Sequence, residues 1–297
     1  MLKTRIALIV VGIFTVAVAV FVPRSQTAKN AHQNQTSATG SNDLTGILEA
    51  LALSLPTNRS VNKLDVLNKS LRRSQEALEQ LRTNASAYLP QLMEEVRAIG
   101  AIAATNRNMA ASRTERLEPA FRALGSDARP LLPMLKDEFN AGRSIGPCVA
   151  AFANIGGTDC GLMLVSGLTN ADRLIRNAVM SGLSGFSTNR DVASSAVRPL
   201  VKLLGDDSQL SRALAATVLG SLHQDPEVAI PDLIRVAKND SDFVVRVMAV
   251  KAIGSFGTNA AIVRADLESI AATDREKIVR RIAEVAIRAA NGLDTSK

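Results

Sequence analysis

Two stretches, DDSQLSRALAATVLGSL (Asp206–Leu222) and DSDFVVRVMAVKAIGSF (Asp240–Phe256), decide how the rest of this sequence is read. Each opens with Asp, places Arg six positions later and closes on Gly, Ser and an apolar residue. The same offset recurs at Asn170 and Arg176 and at Asp274 and Arg280, so four rungs stand at steps of 36, 34 and 34 residues. A period of this length marks one supersecondary unit repeated along the chain. Apolar positions within a unit follow helical spacing, as in Val244, Val245, Met248, Ala249, Ala252, Ile253 and Phe256. A rung Asp or Asn in the turn is suited to cap the helix that follows. An Arg one turn into that helix is suited to reach the turn of its own or a neighbouring unit.

Working outward, each rung is preceded by an apolar segment that carries a Pro in two cases, Pro199 and Pro231. Further upstream, Ala120–Leu135 aligns with Ala77–Leu92, matching Pro133 to Pro90 and five Leu or Ala positions besides. The pattern predicts seven helix pairs: 43–54 with 61–82, 85–104 with 112–124, 127–140 with 144–155, 159–168 with 172–186, 190–204 with 208–222, 227–238 with 242–256, and 260–271 with 275–290. Ser112-x-x-Glu115 and Thr273-x-x-Glu276 read as capping boxes at helix starts. Gly156-Gly157, Gly220 and Gly254 read as helix ends. Asp137 and Arg143 keep the six-residue offset, but Gly146-Pro147 follow and an irregular turn is expected there.

Composition supports an all-helical chain. Of 297 residues 46% are apolar, yet only 3% are aromatic, with no Trp and one Tyr. A β-sandwich or barrel of this size draws on more aromatic side chains than that. The formal charge is +7, but Lys3, Arg5, Arg24 and Lys29 lie in the first thirty residues, which hold no acid; without them the net is +3. The body is near balance and lacks stacking aromatics, so no nucleic acid is expected as a partner.

The first residues have a different character. Ile6 to Val22 runs 17 residues without a charge behind Lys3 and Arg5. As a helix it spans about 25 Å, the short end of a bilayer crossing. Residues 1–23 therefore read as a signal anchor or a cleaved signal peptide, and 24–42 as a flexible polar linker. Basic residues ahead of the apolar run place the body outside the cytoplasm. The expected location is the cell membrane, single-pass, or a secreted or periplasmic form if the signal is cleaved. Residues 43–125 read as divergent helical repeats and 126–297 as regular repeats with a terminal cap.

Little in the body suggests chemistry. His32 falls in the linker, and His223, in SLHQDPE, stands at a helix end without a motif around it. No catalytic residue, cofactor or metal site is expected. Cys148 and Cys160 are a candidate disulfide, or else two buried thiols behaving as small apolar residues. The last helix carries Arg275, Lys277, Arg280, Arg281 and Arg288 with Glu276 and Glu284, a solvating face for a terminal repeat or a patch for an acidic partner.

Pro133, Pro199 and Pro231, together with the ladder of Asn170, Arg176, Asp206, Arg212, Asp240, Arg246, Asp274 and Arg280, resemble the HEAT-repeat family. The resemblance is close over 126–291 and looser over 43–125, and the unit at 159–186 has Ser166 where the Pro falls. It implies an all-α, right-handed α–α superhelix of six to seven helix pairs, here preceded by the N-terminal apolar helix. Similar repeats occur in phycobilin lyase-type proteins. What the resemblance implies is a non-enzymatic scaffold that binds an unidentified protein along its surface. The alternatives are a self-associating structural envelope component and an accessory or lyase-type enzyme subunit.

Overall fold

A helix pair with one apolar side cannot bury it alone, and this chain solves the problem by stacking pairs into two layers. The computed structural model describes residues 44–51 and 63–293. The signal or anchor helix, the linker and His32 lie outside the described residues. Among the described residues no helix is long and apolar enough to cross a membrane, and none is in a strand.

The chain opens with α1 (Leu44–Leu51), α2 (Lys63–Thr83), α3 (Ala85–Ala103) and α4 (Arg107–Leu124), then a 3-10 turn over Gly125–Leu131. It continues with α5 (Leu132–Asn140), α6 (Ile145–Ile155), α7 (Thr158–Gly167) and α8 (Arg173–Leu183). The regular repeats follow as α9 (Arg190–Leu203), α10 (Gln209–Leu222), α11 (Pro226–Asn239), α12 (Phe243–Ser255), a 3-10 turn over Gly257–Val263, α13 (Arg264–Thr273) and α14 (Lys277–Ala290). Helices α4, α6, α8, α10, α12 and α14 pack each on the next as one layer; α7, α9, α11 and α13 form the other. Between the layers lies one continuous core, from Leu81 and Leu117 through Phe121, Phe152 and Leu200 to Leu267 and Ala283.

Most helix ends fall within a residue or two of the sequence expectation, and the exceptions have local causes. Helix α4 begins at Arg107, because the Asn106 side chain accepts the Met109 N–H and caps it there. Ser112 and Glu115 thus lie inside a helix and form no capping box. Thr273 forms none either: it is the last residue of α13, and its hydroxyl bonds back to the Ser269 carbonyl. The expected helices at 127–140 and 260–271 each start instead as a 3-10 turn, opened by Gly125 at φ 50° and Gly257 at φ 58°.

The irregular turn after α5 is built around a buried acid. Glu138 accepts two bonds from Arg143, both at 3.2 Å, and one from the Ser144 hydroxyl. The Arg143 bonds, reinforced by its charge, hold the Glu138 carboxyl below the usual range against its burial. Arg143 is therefore spent within its own turn and is not a ladder arginine. Ser144 sits at φ 49°, with its hydroxyl where a Cβ on Gly100 would be 2.1 Å away. Only glycine lets α3 lie that close to this turn.

Two glycines expected to end helices do something else. Gly156 and Gly157, at φ 69° and 85°, do turn the chain. Gly220 and Gly254 instead lie inside α10 and α12, where those helices touch the next of their layer. A Cβ on Gly220 would stand 2.8 Å from the Ala252 Cα; on Gly254, 3.2 Å from the Ala286 Cα. The Ser255 hydroxyl bonds to the Gly220 carbonyl at the same crossing. Gly220→Ala gains helix propensity but overpacks this contact, and we expect a net loss of about 1–2 kcal/mol in urea unfolding. Gly185→Ala, where nothing lies within 4 Å, should leave the midpoint unchanged within error.

Candidate interaction surface

The rungs are not simple helix caps. Asp206, Asp240 and Asp274 each accept the backbone N–H two residues on, as does Asn170, and so close an Asx turn just ahead of the helix. The residue that donates this N–H is the true N-cap. Asp172 and Asp242 go on to accept from Leu174 and Val244.

Each ladder Arg is held at its own turn. Arg212 Nη1 donates to the carbonyls of Asp206 and Asp207, and Arg246 Nη1 to those of Asp240 and Ser241. The other edge of the guanidinium crosses to the next repeat. Arg212 grips Asp240 through Nε (2.7 Å) and Nη2 (3.0 Å), and Arg246 grips Asp274 the same way (2.8 and 3.0 Å). The Arg246 side chain is only 3% exposed. Arg176 reaches Asp206 through Nη2 alone at 2.6 Å, leaving its buried Nε without a partner. The cause is spacing: this acceptor lies 30 residues ahead, against 28 for the other two.

Burial works to raise the three Asp carboxyls, and the bonds outweigh it. Asp206 is held low by the Ser208 N–H and then Arg176. Asp240 and Asp274 are held low first by Arg212 and Arg246 and then by the N–H groups of Asp242 and Glu276. Asn170, whose side chain receives no Arg, has no carboxylate to stabilise; only its backbone carbonyl accepts from Arg176.

The cysteines are two separate buried thiols rather than a disulfide. Cys148, on α6, points its Sγ at the Leu135 carbonyl of the preceding helix (3.4 Å), and Cys160 is packed in the first turn of α7. Burial pushes the first up to about 12 and the second to about 11, so neither is a nucleophile at neutral pH. His223 is exposed, adopts φ 53° as the C-cap of α10 and sets its ring edge-on to Phe256. Among the described residues no three His, Cys, Asp or Glu converge on a metal position. Two open clefts of about 420 and 480 Å³ lie between successive turns, lined by the paired ladder residues, and neither concentrates a reactive group.

What the sequence reading missed is a surface. Counting four residues past each rung gives Leu174, Leu210, Val244 and Ile278; four further on stand Ala178, Leu214, Met248 and Ile282. Three beyond those come Ser181, Thr217, Lys251 and Val285. These offsets share one helix face, and the four helices adjoin in one layer. None of the twelve is buried, and Lys251 is the single charge among them. Leu174, Leu210, Ile278 and the adjacent Phe243 make up half of the large apolar side chains exposed among the described residues. The signal was present: apolar residues recur at a helical position that is exposed at Leu174, Leu210 and Ile278, while Ala178, Leu214, Met248 and Ile282 beside them are half-buried against the core.

Asp240→Ala or Asp274→Ala leaves a desolvated Arg and should cost about 3–5 kcal/mol in urea unfolding, with Asp206→Ala costing less. The folded pKa values are depressed, so the carboxylates' contribution is complete above their unfolded pKa of about 4 and is lost as pH falls through the lower folded values. A triple Asp→Asn variant at 206, 240 and 274 should lose less stability than the parent on titration from pH 5 to 2.

Residues 197–288 match the model of the family described as HEAT repeats. No curated protein matches the sequence. Among solved structures, the designed armadillo repeat protein YIII(Dq)4CqI is 19% identical, with 84% of this chain and 100% of that one covered and a TM-score of 0.44. The designed armadillo repeat protein YIII(Dq.V1)4CPAF in complex with peptide (KR)4 is likewise 19% identical, with the same coverage and a TM-score of 0.45. These are distant likenesses, and the assignment rests on the residues. With its ladder joining helix pairs 34 residues apart, the chain is an all-helical repeat protein whose residues 197–288 match HEAT repeats.

Proposed function

We propose that this protein is a non-enzymatic scaffold that binds another protein on the second-helix face of α8, α10, α12 and α14. The observation that carries this reading is one helix face of twelve positions, none fully buried and only one charged, on which Leu174, Leu210 and Ile278 stand exposed. A contiguous apolar surface of this kind, edged by polar turns, is where a protein partner gains most from excluding water. We further propose that the body is exported and held outside the cytoplasmic membrane by residues 1–23, with 24–42 as tether; the charge pattern of the sequence supports this.

Photo-cross-linking residues placed at Leu210, Leu214 and Met248 in the full-length protein, in intact cells, should trap one or a few recurrent proteins. The same probe at exposed Arg198 or Glu227 of the first-helix layer should trap none of them. Leu174→Asp with Leu210→Asp, both exposed, should weaken capture by at least about tenfold while leaving the unfolding midpoint within error. Adducts only to lipid or to other copies of the chain would overturn the scaffold reading. Removal of residues 1–23 should move the protein out of the exported, membrane-bound fraction, and retention there would sink the tether.

A further inference from the structure

The last rung among the described residues carries an arginine, Arg280, whose outer edge meets no carboxylate among them. Arg280 Nη1 is held by the Asp274 carbonyl at 2.6 Å, as Arg212 and Arg246 are held by their own turns. In those two repeats the clamp leaves Nε and Nη2 facing forward, and each grips a carboxylate with both. No carboxylate among the described residues meets that edge of Arg280, which is half-buried where Arg246 is covered by the following repeat.

The end face shows how the position can be reached. Gly220 of α10 and Gly254 of α12 pack on the next helix, and by helical spacing Ala213 and Ala216, and Val247 and Val250, share their faces. The same register in α14 holds Arg281, Glu284 and Arg288. Long charged side chains there keep another helix of this kind from approaching as α12 approaches α10. Access to Arg280 is therefore from the turn edge, beside exposed Arg275 and Lys277.

We infer that the Nε/Nη2 edge of Arg280 is a receptor for an aspartate carboxylate carried in a turn of a partner protein, taken up as the next rung of the ladder. Internal repetition supplies the chemistry, since the same clamped fork binds a planar carboxylate twice over in this molecule. Charge complementarity supplies the occupant. Exposed Lys277 and Arg281, three residues before and one after Arg280 on the same helix, add positive charge and favour an acidic segment of the form Asp-x-Asp, as in Asp240-Ser241-Asp242, while Arg275 is turned back to the Ser241 carbonyl. A second copy is the poorer candidate, because its own ladder Asp206, Asp240 and Asp274 are engaged and its first rung is Asn170. The site lies apart from the twelve-position face and does not depend on it.

The test is NMR of the full chain with arginine side chains labelled at Nε, titrated with acetyl-Asp-Ser-Asp-amide, acetyl-Asn-Ser-Asn-amide and methyl phosphate. The acidic peptide should shift the Arg280 Nε–H saturably, at concentrations about tenfold below those that move Arg275 or Arg281, and the Asn peptide should not. Arg280→Lys keeps the charge and removes the fork; it should weaken the peptide about tenfold with an unchanged unfolding midpoint, while Arg281→Lys leaves affinity alone. Three results would overturn the inference: uniform shifts of all exposed arginines that vanish in high salt, methyl phosphate equal to or better than the peptide, or shifts that track self-association of the chain. Absence of any Arg280 shift would do the same.

Discussion

A guanidinium held at two places fixes the geometry of this molecule. One nitrogen of each ladder Arg is bound to the carbonyls of its own turn, and the opposite edge reaches the Asp of the next. Because the Asp also accepts the N–H that starts its own second helix, each fork joins two helix starts through one carboxylate. Register between repeats then has little freedom. The glycine contacts work at the other end of the same helices, where Gly220 against Ala252 and Gly254 against Ala286 set the closest approach. Polar joints at one end and small residues at the other keep α10, α12 and α14 in one layer. That alignment is what turns single exposed residues such as Leu210 and Ile278 into a surface.

How much of this was legible follows from the range of each interaction. Rungs and helix pairs could be read because an offset of six and a period of 34 are written within one unit. That the Arg serves its own turn and the next one together could not be read, since it depends on how two turns face each other across 28 residues. The glycines were misjudged for a related reason. Gly near a helix end suggests a C-cap, and only the neighbouring helix shows that Gly220 answers to crowding instead. At Asn106 the failure was local: the polar run after it resembled a loop, although its side chain caps α4 and the run is that helix's exposed flank.

The exposed apolar face was harder to see because binary patterning treats every apolar position as core. Helix α12 has only Arg246 and Lys251 as charges, and Arg246 is buried, so its circumference gives no clear inside or outside. Only the stacking decides that Val245 and Ala249 are core while Val244 and Met248 are left half-buried. A helix needing to bury one stripe yet apolar on two carries more hydrophobic surface than its own fold requires, and the surplus recurs in four consecutive units.

The choice between Asn and Asp along the ladder shows the same economy in charge. Asp stands at 206, 240 and 274, where an Arg arrives from the repeat before; Asn stands at 170, where the preceding Arg143 is committed to Glu138. A carboxylate is present where a guanidinium compensates it, and an amide does the Asx-turn work where none arrives. By the same rule, an uncompensated member at the far end is the one to ask about. Arg280 keeps the clamp at Asp274 that orients its fork, although no following rung among the described residues makes use of that orientation. A guanidinium serving only as a solvating group would have no need of the clamp, as exposed Arg281 beside it illustrates.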